Sequence, residues 1–179
     1  MKKISLPKEH PTPNFIGSWL LDPLSICDEL ITYFESNIER QKQGVTADGV
    51  SQQIKNSTDI TITPRELELS KNKIFEKYFS CLFCCYEDYV KKWPFLGTFA
   101  SKLDIGHFNI QKYGSGQHFQ AIHTERSSVD TLHRIFAFMT YLNDVNREDG
   151  GSTYFTHYDI DIQPQKGLTL IWPAEWTHA

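Results

Sequence analysis

The residues best suited to chemistry in this chain are His123 and Glu125, at the end of the stretch Tyr113–Glu125, YGSGQHFQAIHTE. In extended backbone, side chains two positions apart project to the same face, so the imidazole and the carboxylate converge. A nitrogen donor beside an oxygen donor is half of a metal site. Far down the chain, His178 completes a set of two histidines and one carboxylate. On a non-heme Fe(II) that donor set leaves coordination positions open.

The sequence holds seven histidines, so the other five must be weighed against these two. His10 lies in a proline-rich arm and reads as solvated. His118 stands five positions before His123 and so faces the other side of a shared strand. His107 and His133 fall at predicted strand starts and His157 in a turn, where surface or hydrogen-bonded roles suffice. The four cysteines, Cys27, Cys81, Cys84 and Cys85, lack the paired spacing of a zinc site or of a disulfide framework. They read instead as small apolar residues along one side of a helix.

These donors need a frame, and hydrophobic periodicity supplies one. Pro7, Pro11 and Pro13 mark residues 1 to 15 as an extended surface arm. From Asp22-Pro23, with proline at the first helical position, the residues Leu24, Ile26, Leu30, Ile31, Phe34 and Ile38 recur at helical spacing to about Gln41. Residues 44–58 are polar and aperiodic and read as a loop, and Asp59–Thr63 alternates like a short strand. A longer helix is predicted from Leu67 to Lys92, with Ile74, Tyr78, Leu82, Tyr86, Tyr89 and Val90 on one stripe and Phe75, Phe79 and Phe83 widening it. Trp93-Pro94 ends that helix, since the residue before proline resists the helical conformation.

Beyond this point the period changes to two. Strands are predicted over 105–113, 117–123, 133–142, 152–155, 158–162 and 168–172, separated by GSG, NREDGG and PQKG. Helices followed by many short strands imply an α+β chain whose helices brace a β-sandwich, with a double-sheet jelly roll the natural form. A single domain over 1–179 is expected, with helical support at about 15–95 and a jelly-roll core at about 103–179.

Bulk composition agrees with one packed domain. Aromatic residues make up 13% of the chain, ample material for a core. The net charge of −4 gives no electrostatic footprint for nucleic acid or for anionic membrane. No apolar run approaches the roughly 18 residues of a spanning helix, and the start MKKISLPKEH lacks a signal-peptide hydrophobic region. A cytoplasmic location is the expectation.

Several motifs in order resemble one family. Tyr113, Gly116 and Gln117 precede His123 and Glu125; an Arg134-led strand ends in YLND, Tyr141 to Asp144; then come GGSTYF, Gly150 to Phe155, and the pattern Pro164, Lys166, Gly167, Leu170, Trp172 leading to a histidine. From Ile105 onward the chain resembles the Fe(II)- and 2-oxoglutarate-dependent dioxygenases, in their prolyl 4-hydroxylase-like branch. The resemblance implies a double-stranded β-helix holding Fe(II) on His123, Glu125 and His178. It implies 2-oxoglutarate as cosubstrate and O2 as oxidant, with ascorbate a further candidate. Tyr113 would lie near the oxo-acid end of the cosubstrate, Tyr141 would bond its distal carboxylate, and Thr153 would line the same pocket. The substrate would be a prolyl or other peptidyl or amino-acid side chain.

Two departures stand out. Glu125 occupies a position that is most often Asp in this family, and the extra methylene displaces the carboxylate by about one C–C bond. The family also places a Lys or Arg about ten residues after its distal histidine to pair with 2-oxoglutarate, whereas this sequence stops at Ala179. Lys112, Arg126, Arg134 and Lys166 are not at matching positions, so the last strand is expected to be missing by C-terminal truncation. Two other readings are a catalytically inactive jelly roll that binds a metal or ligand, and a purely structural sandwich of the capsid or lectin kind.

Overall fold

The computed structural model describes residues 1–6, 14–46, 49–69, 72–100, 103–175 and 178. His10 and the three prolines of the expected arm lie outside them. Strands β1 (Lys2–Lys3) and β2 (Gly17–Leu20) precede helix α1 (Ser25–Ser36). That helix buries Ile26, Cys27, Leu30 and Phe34, one apolar face at helical spacing. Its end is closed by side-chain amides: Asn37 donates to the Tyr33 carbonyl at 2.7 Å and Gln41 to the Phe34 carbonyl at 2.9 Å. The expected boundaries need correction. Pro23 lies ahead of the helix rather than at its first position, and Leu24 and Ile38 are exposed. Ile38 falls in a tighter 3-10 turn, Ile38–Arg40, where the helical stripe no longer continues.

The described residues of 44–58 hold more structure than a plain loop. They contain β4 (Lys55–Asn56), after β3 (Lys42–Gln43) and before β5 (Thr58–Ile62), and they bury Lys55 and Ser57. The helix predicted from Leu67 is divided into a short α2 (Pro64–Leu67) and α3 (Lys73–Lys92). A capping box starts α2: the Thr63 side chain meets the backbone of Glu66, and the Thr63 amide donates to the Glu66 carboxylate at 2.8 Å. α3 ends at Lys92, just before Trp93-Pro94, and buries Phe75, Tyr78, Leu82, Cys85 and Tyr89. Phe83, expected to widen the stripe, is exposed, and the cysteines fan around the helix: Cys85 is buried and Cys84 exposed.

The strands that follow are β6 (Phe108–Lys112), β7 (His118–Phe119), β8 (Phe136–Thr140), β9 (Thr153–Phe155), β10 (Ile160–Ile162) and β11 (Leu168–Pro173). All the pairings are antiparallel. One sheet runs β1-β2-β11-β8 and another β3-β5-β6, with β9-β10 and β4-β7 as two-stranded pairs. Mixed helices and strand-rich sheets of this kind fit a jelly-roll-like core.

β11 is central to its sheet, and both of its faces are covered. Leu168, Leu170 and Trp172 point into one apolar cluster with Ile16, Ala137, Phe155, Ile160 and Ile162, while Ile171 joins the cluster formed with α1 and α3. The alternation follows from the two-residue period of a strand. On the helix side, Tyr78 of α3 reaches Thr140 Oγ1 at 2.9 Å, and Thr140 reaches the fully buried Thr169 at 2.8 Å. Phe108, Phe136 and Phe138 then pack their rings against Phe75, Phe79, Tyr86 and Tyr89 of α3. Helix and sheet are thereby keyed to a single register.

Two stability measurements follow. Tyr78→Phe keeps the ring packing and removes one buried hydroxyl contact, an expected loss of about 1 kcal/mol and a fall in Tm of roughly 2–4 °C for a chain of this size. For Glu66, partial burial raises the carboxyl pKa, but the Thr63 and Arg40 hydrogen bonds outweigh it and leave it below the ordinary value of 4.5. Its folded pKa is therefore lower than its unfolded one. The stabilisation is complete above that ordinary value and is lost as pH falls through the depressed folded pKa. Denaturant titrations across acid pH should show Glu66→Gln converging on the parent at the acid end.

Candidate metal centre

His123 does not sit in a regular strand as the two-residue argument assumed; β7 ends at Phe119. It forms instead an isolated antiparallel bridge with His178, its amide donating to the His178 carbonyl at 3.3 Å. The bridge carries the two imidazoles to within 4.5 Å of each other, ring centre to ring centre. Glu125, two residues on, places Oε1 3.5 Å from His123 Nε2 and 3.8 Å from His178 Nε2. One ligand atom from each of the three residues falls inside a 4.8 Å span. The convergence expected from the sequence is present, although a bridge rather than a strand produces it.

The hydrogen bonds around these residues set their chemical state. His123 Nδ1 lies 2.9 Å from the Ala121 carbonyl, which can only accept, so Nδ1 carries a hydrogen, and Nε2 faces the Glu125 carboxylate, to which it donates when the ring is protonated. Arg134, at the head of β8, contacts both the Glu125 carbonyl at 3.3 Å and Oε2 at 3.2 Å. Glu125 thus offers Oε1 to the imidazoles while Oε2 is tied back. The two histidines hold the Glu125 carboxyl far below the usual carboxylate range despite its burial. Burial pulls His123 down, but the hydrogen bonds of Glu125 and Ala121 outweigh it and raise the imidazole above its ordinary value.

His178 differs from His123. The indole N–H of Trp172 donates to His178 Nδ1 at 3.1 Å, so the hydrogen of this buried ring resides on Nε2, facing Glu125. A metal on Nε2 therefore needs that hydrogen to pass to Nδ1 and the Trp172 contact to be given up. An ionised carboxylate, a correctly polarised His123 and a second imidazole within reach are together a donor set that suits a divalent first-row ion.

The tyrosines expected at the cosubstrate fall on two sides. Tyr141 packs, partly buried, against the apolar cluster of Phe155 and Trp172, its hydroxyl 2.6 Å from Thr153 Oγ1 and 3.2 Å from the Ile162 carbonyl, and burial pushes it up to about 12. Phe155 and Trp172 in turn pack against His178, so Tyr141 and Thr153 share the apolar cluster that borders the donors. Tyr113 lies on the other side. The residue is 42% exposed, but its hydroxyl turns to Gln111 Oε1 at 3.2 Å, and burial together with the Asp59 carboxylate pushes it up to about 12.

The four cations without a matching family position are all engaged: Lys112 with Glu35, Arg126 with Glu175, Arg134 with Glu125 and Lys166 with Asp28. Sequence reasoning missed the role of Arg134, although its place at the start of a strand running beside the site was visible. It also missed Phe119, whose ring stacks on His123 at 4.3 Å, and Lys55, whose ammonium lies 5.6 Å from the Phe119 ring centre. Lys55 had no signal in the sequence, since it sits among polar residues that read as loop.

Residues 108–179 match the model of the 2OG-Fe(II) oxygenase superfamily. No curated protein matches the chain in sequence. In fold it is similar to a Pseudomonas putida prolyl-4-hydroxylase, with a TM-score of 0.69 at 15% identity over 92% of this chain and 83% of that one. It is also similar to a Trichoplax adhaerens prolyl hydroxylase solved with a peptide fragment of the hypoxia inducible factor oxygen degradation domain, with a TM-score of 0.68 at 17% identity, covering 92% and 75%. A third likeness is the viral collagen prolyl hydroxylase of Paramecium Bursaria Chlorella virus-1, with a TM-score of 0.55 at 17% identity, covering 89% and 77%. Over residues 108–179 the chain therefore matches the 2OG-Fe(II) oxygenase superfamily in sequence, and as a whole it shares its fold with prolyl hydroxylases.

Proposed function

We propose that His123, Glu125 and His178 hold Fe(II), that Tyr113, Tyr141 and Thr153 form the surroundings of 2-oxoglutarate, and that the enzyme hydroxylates a prolyl or other peptidyl or amino-acid side chain. The single observation that carries the reading is the convergence of one carboxylate and two imidazoles within 4.8 Å, inside the segment that matches the family. The family implies Fe(II), 2-oxoglutarate and O2; a bound Fe(II) supplies the redox capacity that turns O2, 2-oxoglutarate and a C–H bond into succinate, CO2 and a hydroxylated product.

The chain's own residues prepare the site. Ala121 fixes the ring of His123 with Nε2 inward, and Arg134 aims Glu125. The Trp172 indole and Phe155 seal His178 from solvent. Tyr141, kept protonated by burial, offers a hydrogen-bond donor to an anionic ligand in the sandwich interior once it turns from Thr153.

A peptide substrate fits the rim of the site. Ile122, Val129 and Leu132 stand exposed on the segment beginning at the donors, and Val45, Val50 and Ile54 stand exposed on 44–58. The Gln120 amide bonds to the Ile54 carbonyl at 3.1 Å, which ties the second segment to the first. The likeness to a prolyl hydroxylase solved with a peptide supports the same choice.

Succinate release on adding Fe(II), 2-oxoglutarate and O2 is the expected outcome, abolished in His123→Ala. Binding of metal without succinate would instead identify a non-catalytic binding protein, and absence of both would overturn the proposal. Arg134→Ala frees Oε2 of Glu125 and should weaken Mn(II) binding by about tenfold to a hundredfold, as loss of a residue supporting a ligand does, readable by calorimetric titration.

A further inference from the structure

A buried ion pair stands beside the metal centre without taking part in it. Lys55 of β4 is 3% exposed, and its ammonium meets Asp59 Oδ2 at 2.7 Å. Asp59 Oδ1 accepts the Ser57 hydroxyl at 2.8 Å, and Gln111 donates to Oδ2 at 3.3 Å. Gly44 closes the cluster from outside. Its amide bonds to the Ser57 carbonyl at 2.9 Å, and a Cβ there would lie 2.1 Å from Ser57 Oγ.

Stability alone does not account for such a pair. Removing two charges from water costs several kcal/mol per ion, and an apolar pair of similar volume is often as stable or more so. What Lys55 has that an apolar residue lacks is a charge in a particular place. β4 pairs antiparallel with β7 in the register Lys55 to Phe119, which puts the ammonium over the face of the Phe119 ring. A cation over an aromatic face is attracted to it, more strongly when desolvated. The other side of the contact is the site: Phe119 and His123 stack with ring planes 26° apart, and His178 approaches His123 edge-on at 69°. Phe119 therefore joins a fixed charge to an imidazole.

We propose that Lys55, itself held by Asp59, is a positioning residue for His123, fixing the imidazole through the Phe119 ring. This rests on the reading of His123 as a metal ligand. It also means that β4 is coupled to the metal centre through one side chain: displacing β4 removes the charge from Phe119 and releases His123 to turn.

The test uses the whole chain and Co(II), whose visible absorption reports ligand geometry. The double variant Lys55→Met/Asp59→Asn removes both charges without leaving either one buried alone. It is expected to melt near the parent temperature, to bind Co(II) about tenfold more weakly and to show an altered visible band. Phe119→Leu leaves the ion pair intact and is expected to give the same loss. Combining it with the double variant should add little further, because both act through one ring. Lys55→Arg, which keeps the charge, should restore most of the affinity. Variants that fold and bind Co(II) with the affinity and spectrum of the parent would overturn the inference. So would independent, additive losses from the ion pair and from Phe119. If the parent itself binds no Co(II), the metal-centre reading fails, and this inference fails with it.

Discussion

The hydrogen bond from the His123 amide to the His178 carbonyl is the contact on which the site depends. It joins positions 55 residues apart, 178 − 123, and nothing local holds them together. His178 follows β11, whose register is set on one side by β2 and on the other by β8. A slip of one residue would send every side chain of β11 to the opposite face, taking Trp172 from its place beside His178. The hydroxyl chain from Tyr78 through Thr140 to Thr169, and the two apolar clusters on either face, oppose that slip. The helices contribute to the chemistry in this indirect way, by holding a strand.

Around the three donors the protein is asymmetric. His178 looks into an apolar interior of Trp172, Phe155, Met139 and Ile162 that also contains Tyr141 and Thr153. His123 looks outward across Phe119 to a polar cluster of Lys55, Asp59, Ser57 and Gln111, reached by the Tyr113 hydroxyl. An anion entering the interior would meet buried donors and little water, where electrostatic contacts are strong. The rim on the outer side carries the exposed aliphatic side chains Ile122, Val129 and Leu132.

Much of this was legible in the sequence because it rests on short-range rules. The helices announce themselves by period, the strands by alternation and their punctuating turns, and the histidine–carboxylate pair by its spacing. Boundaries were less legible where local geometry changes without a change of composition, as at Ile38, which continues the apolar pattern but lies in a tighter turn and is 71% exposed. Least legible were roles set by tertiary contacts. Lys55 reads as one more polar residue in a polar loop, because its burial comes from an acid four residues on and an aromatic ring 64 positions away, 119 − 55. Arg134 was considered as a partner for an external carboxylate, and it turns out to bind one belonging to the chain.

The pairing of Arg134 with Glu125 has a consequence for conformational entropy. A glutamate has one more free torsion than an aspartate, and holding such a side chain in one rotamer costs up to about 1.5–2 kcal/mol. In this chain the cost is met before any ligand arrives: one carboxylate oxygen is fixed by the Arg134 guanidinium, two residues ahead of β8, and the other faces two imidazoles. The longer acid is therefore held in place, but its rigidity is borrowed from another residue, Arg134. In this site the length of the acid and the identity of residue 134 form one property rather than two.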